Sequence, residues 1–153
     1  MTTGEDIATR FDTVNGEAVD VITGPARDHW HTLTTTEGWP VGVTARHIAL
    51  GHELMAQWAD ALARREPLVP PDDIHHANAE QAAHGVVADP DEVAALLHAN
   101  GSRVSAALRR LTAEDLVGEV DFGGRTMPSL ALAEAAIRHV TGHIESIRAV
   151  IEA

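Results

Sequence analysis

The sequence predicts an all-α protein, folded as one four-helix bundle over residues 1–153, with a short irregular or hairpin segment before the last helix. The length of 153 residues suits a single domain with a single core. Apolar residues make up 44 % of the chain and aromatics only 3 %, so Ala and aliphatic side chains must fill that core. Four segments repeat apolar residues at steps of three and four, which is the period of an amphipathic helix.

The first two predicted helices lie on either side of a connector. Apolar residues from Ile7 to Ile22 predict a helix over about 5–23, which Gly24-Pro25 ends. The connector covers 25–41. A second helix begins near Val43 or Thr44 and runs to about Arg65, where a Pro-rich stretch stops it.

The second half of the chain predicts two further long helices and a hairpin. A short helix over 73–84 precedes a longer one from Pro90 to about Leu111, which Asp89 caps. Alternation followed by Gly-Gly predicts a strand-like or hairpin piece within 117–127. The last helix opens near Pro128 and runs almost to the end of the chain.

Charge and composition exclude several classes of function. The net charge of −12 disfavours a nucleic-acid surface and binding to anionic membranes, both of which need clustered Lys and Arg. Cysteine is absent, so any thiol chemistry must borrow a thiol from a cofactor or substrate. No signal peptide or long apolar run is present, and we expect a cytoplasmic protein. A homodimer is compatible with the sequence, although no exposed apolar stripe requires one.

Three histidines fall on the inward stripes of two helices. His139 and His143 are four residues apart, so they share one face of the last helix. His47 lies on the apolar stripe of the second helix. The sequence predicts a divalent-metal site between facing helices, with hydrogen-bonded core histidines as the alternative. Three neutral ligands would leave open coordination positions, which is the catalytic arrangement.

Other histidines are weaker candidates. His52 follows His47 by five residues and points about 140° away from it, so we expect it at a rim or on the surface. His75 and His76 lie beside a Pro-rich break and are predicted to face solvent, with a pocket mouth as the alternative. The segment between His139 and His143 lacks the Glu that serves as general base in the zinc-protease motif, which disfavours a peptidase.

Several residues could assist such a site. Arg125 and Arg138 are the candidate catalytic cations because either could bind a carboxylate, although Arg138 could equally face solvent. Gly51 and Gly142 could leave space for a ligand above the metal, with close helix packing as the alternative. Three acidic residues could orient ligating imidazoles, and exposed helix faces explain them equally well: Glu53, Glu134 and Glu145.

Four motifs, in this order, resemble the DinB-like superfamily, in the branch related to mycothiol-dependent maleylpyruvate isomerases of actinobacteria. They are Trp39-Pro-Val-Gly-Val-Thr-Ala-Arg-His47-Ile-Ala, Ile74-His-His-Ala-Asn78-Ala, Phe122-Gly-Gly-Arg125-Thr126 and His139-Val-Thr-Gly-His143-Ile. The resemblance extends over nearly the whole chain. It implies an up-down-down-up bundle and a divalent metal, zinc or nickel, held by His47, His139 and His143. Gly51, Trp58 and Asn78 are the candidates for binding a cofactor.

The resemblance also implies a class of chemistry. Many relatives are thiol transferases or isomerases in which the metal activates a small thiol such as mycothiol toward an electrophilic substrate. The isomerases carry an additional C-terminal domain without a counterpart in these 153 residues, which favours a generic thiol transferase over the isomerase. Activation of water at the same site would give hydrolysis. The alternatives are a non-catalytic metal- or ligand-binding stress-response bundle, or a bundle without metal that serves dimerisation.

Overall fold

A computed structural model describes residues 1–68, 80 and 88–153, and it confirms a helical bundle with a small hairpin. The helices are α1 (Gly4–Thr23), α2 (Val41–Arg64), α3 (Pro90–Arg109), α4 (Ser129–Ala133) and α5 (Ala135–Ile151). A 3₁₀ helix (Pro25–His29) follows α1, and strands β1 (Glu119–Phe122) and β2 (Arg125–Pro128) precede α4. The short helix predicted over 73–84 lies outside the described residues.

The four long helices surround one core. Helices α1 and α2 each pack against both α3 and α5, so every long helix has two neighbours in the bundle. The largest fully buried apolar side chains come from all four: Phe11, Ile7, Ile22, Ile48, Leu97, Leu108, Ile147, Val41, Val93, Val104 and Val140. Two of these helices also carry the three inward histidines, so the packing of α2 on α5 determines where those side chains meet.

Capping residues define where two of the helices begin. Thr3 and Asp6 form a capping box at the start of α1, each side chain accepting a hydrogen bond from the other's backbone N–H. Asp89 accepts from the backbone N–H of Asp91 at the start of α3, with Pro90 in the first turn. The predicted Asp89 cap is therefore confirmed.

The predicted hairpin is present and closes through the Gly-Gly pair. Phe122 pairs with Arg125, and the two residues between them, Gly123 and Gly124, have φ values of 61° and 83°. A two-residue turn of this kind needs positive φ at both positions, which glycine adopts at little cost. Leu68, just beyond α2, forms a bridge with Phe122 and joins the end of α2 to the hairpin.

The last helix differs from the prediction, because Glu134 divides it into α4 and α5. At the break the N–H of Ile137 bonds to the carbonyl of Glu134, three residues back instead of four. The Arg138 side chain donates to the carbonyl of Ala131 at 2.8 Å, so this backbone acceptor is used by a side chain. The continuous helix predicted from Pro128 was therefore wrong at this point, one turn before His139.

Within residues 1–68 and 88–153, no helix combines the length and hydrophobicity that crossing a bilayer requires.

Candidate metal centre

The structure brings three histidines from two helices together. Helix α2 contributes His47, and α5 contributes His139 and His143 from consecutive turns of one face. One ring nitrogen from each lies within 4.8 Å of the others. The rings face one another edge-on, with centroids 4.7–5.0 Å apart. Among the described residues, this is the group of His, Cys, Asp or Glu side chains that could hold a metal ion.

The donor set fits a divalent cation of the zinc type. Nε2 of His139 lies 3.1 Å from Nε2 of His47. Two nitrogens bound to one ion at about 2.0–2.1 Å, at angles of 90–109°, are about 2.9–3.4 Å apart. The other ring nitrogen of His139, Nδ1, is buried without a hydrogen-bond partner in the described part of the chain. A neutral imidazole has one N–H and one lone pair, so with the hydrogen on Nδ1 the ring presents the lone pair of Nε2, beside Nε2 of His47, to a cation.

Burial keeps one of these imidazoles neutral. Desolvation, followed by the nearby rings of His143, His47 and His52, lowers the pKa of His139 to about 3. An imidazole must be neutral to bind a metal through its lone pair. His139 is therefore in the ligating state over the whole physiological pH range.

Gly51 lets His139 lie against helix α2. A Cβ atom at Gly51 would be 2.5 Å from Cε1 and 3.0 Å from Nδ1 of His139. The space that Gly51 leaves is therefore filled by the His139 imidazole. Gly51 allows α5 to pack closely on α2, which was the alternative to an open space for a ligand. Gly142 differs, because a Cβ atom there would meet nothing within 4 Å.

The connector between α1 and α2 supplies residues that the sequence did not single out as part of the site. Oε1 of Glu37 lies 2.8 Å from Nδ1 of His143, and Oγ of Ser146 donates to Oε2 of Glu37 at 2.5 Å. Trp39, two residues later, presents its ring edge-on to His47 at a centroid distance of 5.3 Å. Neither Glu37 nor Trp39 was among the site residues predicted from the sequence.

Glu37 is ionised despite its burial. Desolvation raises its pKa, but hydrogen bonds from Ser146, Thr34 and His143 together outweigh that effect, and the net pKa is below the usual value. The carboxylate therefore places a negative charge beside the three imidazoles, which favours a bound cation.

His52 is not at a rim or on the surface, and that expectation was wrong. Its side chain is fully buried, with Nε2 2.8 Å from Oδ1 of Asn15. Asn15 in turn donates from Nδ2 to the carbonyl of Leu97. The reason is that α2 packs on two neighbouring helices, so a side chain turned away from α5 enters the core on another side.

The acidic residues predicted to orient the imidazoles have other surroundings. Glu53 and Glu145 are exposed on α2 and α5. Glu134 forms an ion pair with Arg10 at 2.6 Å. A carboxylate that does contact a site imidazole is that of Glu37, which lies beside His143.

The remaining candidates lie in varied surroundings. Arg125 and Arg138 are exposed, and Arg138 is engaged with the carbonyl of Ala131. Trp58 is buried and packs edge-on against Phe122 at a centroid distance of 4.9 Å, as a core residue does. Asn78, His75 and His76 fall outside the described residues.

Comparisons with known proteins agree with this architecture. A family model of the DinB superfamily matches residues 3–147. Two crystal structures of mycothiol-dependent maleylpyruvate isomerase, one of them a mutant, share the fold with a TM-score of 0.66 each, at 21 % and 20 % identity. Both alignments cover 96 % of this chain but 63 % of the isomerase chain, so the chain spans less than two thirds of those proteins. A search of curated proteins gave no match. The match over most of its length shows that the chain belongs to the DinB superfamily.

Proposed function

We propose that this protein is a metal-dependent enzyme that acts on a small thiol, as an S-transferase or isomerase. The observation that carries the proposal is the convergence of His47, His139 and His143 from two helices. Zinc and nickel are the proposed ions because both accept imidazole ligands readily. When bound, the cation would act as a Lewis acid that lowers the pKa of a coordinated thiol or water.

The comparison with the isomerases favours a thiol as the co-reactant, and the composition is compatible with one. The chain contains no cysteine, so a reaction through sulfur needs a thiol from outside. The isomerases that share its fold are described as mycothiol-dependent, which makes mycothiol the first thiol to try. The chain spans 63 % of those proteins, and the proposal includes both activities, thiol transferase and isomerase. We propose the cytoplasm as its location, since that compartment keeps thiols reduced.

The residues around the site would prepare it for this chemistry. Three imidazoles fill three positions of a cation and leave others open for a thiol. The side chain of His143 is 20 % exposed, so the site is in contact with solvent on that side. Glu37 partly balances the charge of a dication, which reduces the cost of burying it.

The second candidate is a bundle that binds metal or ligand without catalysis, as in a stress-response protein. One observation favours it: three clefts in the described part of the chain are lined by residues other than the three histidines. A cleft of about 710 Å³ lies instead between the C-terminal end of α2 and the hairpin, with Leu62, Arg65 and Val120 in its wall.

Metal analysis together with a thiol assay tests the proposal. Purified protein should retain about one Zn²⁺ or Ni²⁺ per chain, and His47→Ala and His143→Ala should each lower the metal affinity by more than about 100-fold. The metal-loaded protein should join mycothiol to a chlorodinitrobenzene, forming a carbon–sulfur bond as chloride leaves. Both histidine variants should lose this activity.

Two results would contradict the proposed enzymatic function. Retention of metal and activity by both variants would show that His47 and His143 do not bind the metal. Stoichiometric metal binding without reaction between any tested thiol and electrophile would favour the non-catalytic bundle.

A further inference from the structure

We propose that Glu37 is a positioning residue of this metal centre, which holds His143 in the tautomer that presents Nε2 to a cation. The inference rests on the proposed function, because it assumes that the three histidines bind a metal. The hydrogen bond between Glu37 and His143 does not depend on that assumption, so the two can be tested separately.

The carboxylate of Glu37 divides its two oxygens between adjacent turns of α5. Oε1 faces Nδ1 of His143 at 2.8 Å, and Oε2 accepts from Oγ of Ser146 at 2.5 Å. The side chain of Glu37 is 9 % exposed and Ser146 is 7 % exposed, so water competes little for these bonds. These two partners on α5, together with Thr34 of the connector, determine the orientation of the carboxylate and therefore that of the imidazole.

An ionised carboxylate can only accept hydrogen bonds, so Nδ1 of His143 must carry the hydrogen. In the neutral ring Nε2 then holds the lone pair, which is the atom needed for coordination. The same arrangement of carboxylate, histidine and metal makes the imidazole a better ligand and fixes its plane. The proposed role thus follows from the donors and acceptors that the structure places together.

The connector that carries Glu37 is itself held firmly. The backbone N–H of Thr34 bonds to the carbonyl of Trp39 at 2.8 Å, and that of Gly38 to the carbonyl of Thr34 at 3.0 Å. Gly38 has a φ of 73°, which lets the chain turn directly after Glu37. Farther back, the Trp30 indole packs against Gly42 of α2 so closely that a Cβ atom there would be 2.6 Å from Nε1.

A simpler role is possible for the same bonds: Glu37 could only tie the connector to α5. In that case the bond to Ser146 would matter as much as the bond to His143. The two roles predict different outcomes for variants that remove one bond at a time.

The first experiment measures Zn²⁺ affinity by competition with a chromogenic chelator. Glu37→Gln should lower the affinity by about 10–100-fold, because the amide offers one acceptor and one donor and no longer selects the tautomer. Ser146→Ala should stay within about threefold of the wild type. The matched control is Glu145→Gln, which makes the same charge change at an exposed position of α5. An affinity of Glu37→Gln within twofold of the wild type, or equal to that of Ser146→Ala, would overturn the proposal.

The second experiment reads the tautomer without metal. Nitrogen-15 NMR of the metal-free protein, at a pH above about 7.5 where an ordinary imidazole is neutral, should show His143 protonated at Nδ1. Glu37→Gln should shift the ring toward a mixture of tautomers, whereas Glu145→Gln should not. Should the wild type bind no metal, the proposed function fails while this readout still decides the role of Glu37. A His143 ring protonated at Nε2 in the wild type would refute it.

Discussion

Helix α2 carries two buried histidines whose surroundings differ. His47 meets two other imidazoles and the edge of Trp39, at a point where one ring nitrogen of each histidine converges. His52, five residues later, is fully buried and bonds to Asn15 through Nε2. Because Asn15 donates onward to Leu97, its Oδ1 accepts, and the Nε2 of His52 must be the donor.

The difference shows what distinguishes a candidate ligand from a structural histidine. The His52 ring belongs to a chain of neutral hydrogen bonds through Nε2, while its Nδ1 has no hydrogen-bond partner among the residues that the structure describes. Five residues earlier on α2, at His47, three imidazoles converge on the same small space, and a cation could engage all three lone pairs together. Burial alone therefore does not identify the site; convergence does.

The largest effect should come from replacing these two histidines by alanine, one at a time. His47→Ala should remove most bound metal but lower the free energy of unfolding of the metal-free protein by only about 1–2 kcal/mol. His52→Ala should retain the metal but cost about 2–4 kcal/mol, because it leaves a cavity and an unpaired Asn15. Urea unfolding and metal titration of both variants would measure the contrast. Equal effects of the two variants on metal affinity would contradict the distinction between His47 as a ligand and His52 as a structural residue.

The next effect is a pH dependence of stability that belongs to His52. Burial lowers its pKa to about 4, whereas the unfolded residue titrates near 6.5. Since the unfolded chain binds the proton first, stability should fall as pH drops from about 6.5 toward about 4, by up to about 3 kcal/mol. The measurement is urea unfolding of metal-free wild type and His52→Gln at several pH values.

His139 contributes to acid sensitivity in the same direction, because its pKa is also lowered. The difference between wild type and His52→Gln isolates the part that comes from His52. A difference that stays constant between pH 6.5 and pH 4 would show that His52 does not titrate as its burial implies.

The smallest effect should separate two glycines of the site helices. Gly51→Ala should weaken metal binding by about 10-fold, because the new methyl group would displace the His139 ring. Gly142→Ala has open space and should leave the affinity unchanged, while it stabilises the helix by up to about 1 kcal/mol. Competition titration and urea unfolding measure the pair. Equal affinities of the two variants would mean that the His139 ring can move without loss of the site.

Helical periodicity predicted much of the bundle and the meeting of its three inward histidines. His139 and His143 share a face because 3.6 residues complete a turn, whatever surrounds the helix. The same reasoning correctly separated His52 from His47, but placed it at a rim. A helix with two neighbours has two inward faces, and a single apolar stripe does not reveal the second.

Glu37 could not be predicted in this way because its segment has no repeating pattern. Its partners, His143 and Ser146, lie more than 100 residues away in sequence. The three acidic residues proposed from their proximity in sequence are exposed or paired elsewhere. The turn at Gly38 and the packing of Trp30 against Gly42 place the carboxylate, and neither follows from a repeating pattern.

The sequence by itself determined the four long helices apart from the break at Glu134, the hairpin turn at Gly123 and Gly124, and the inward position of His47, His139 and His143. These features follow from local periodicity and backbone preference, which neighbouring residues dictate. Only the tertiary structure decided that Gly51 admits the His139 ring, that His52 joins Asn15, and that Glu37 holds His143. Each of these depends on the distance between separate segments, and that distance is set by packing of the whole bundle.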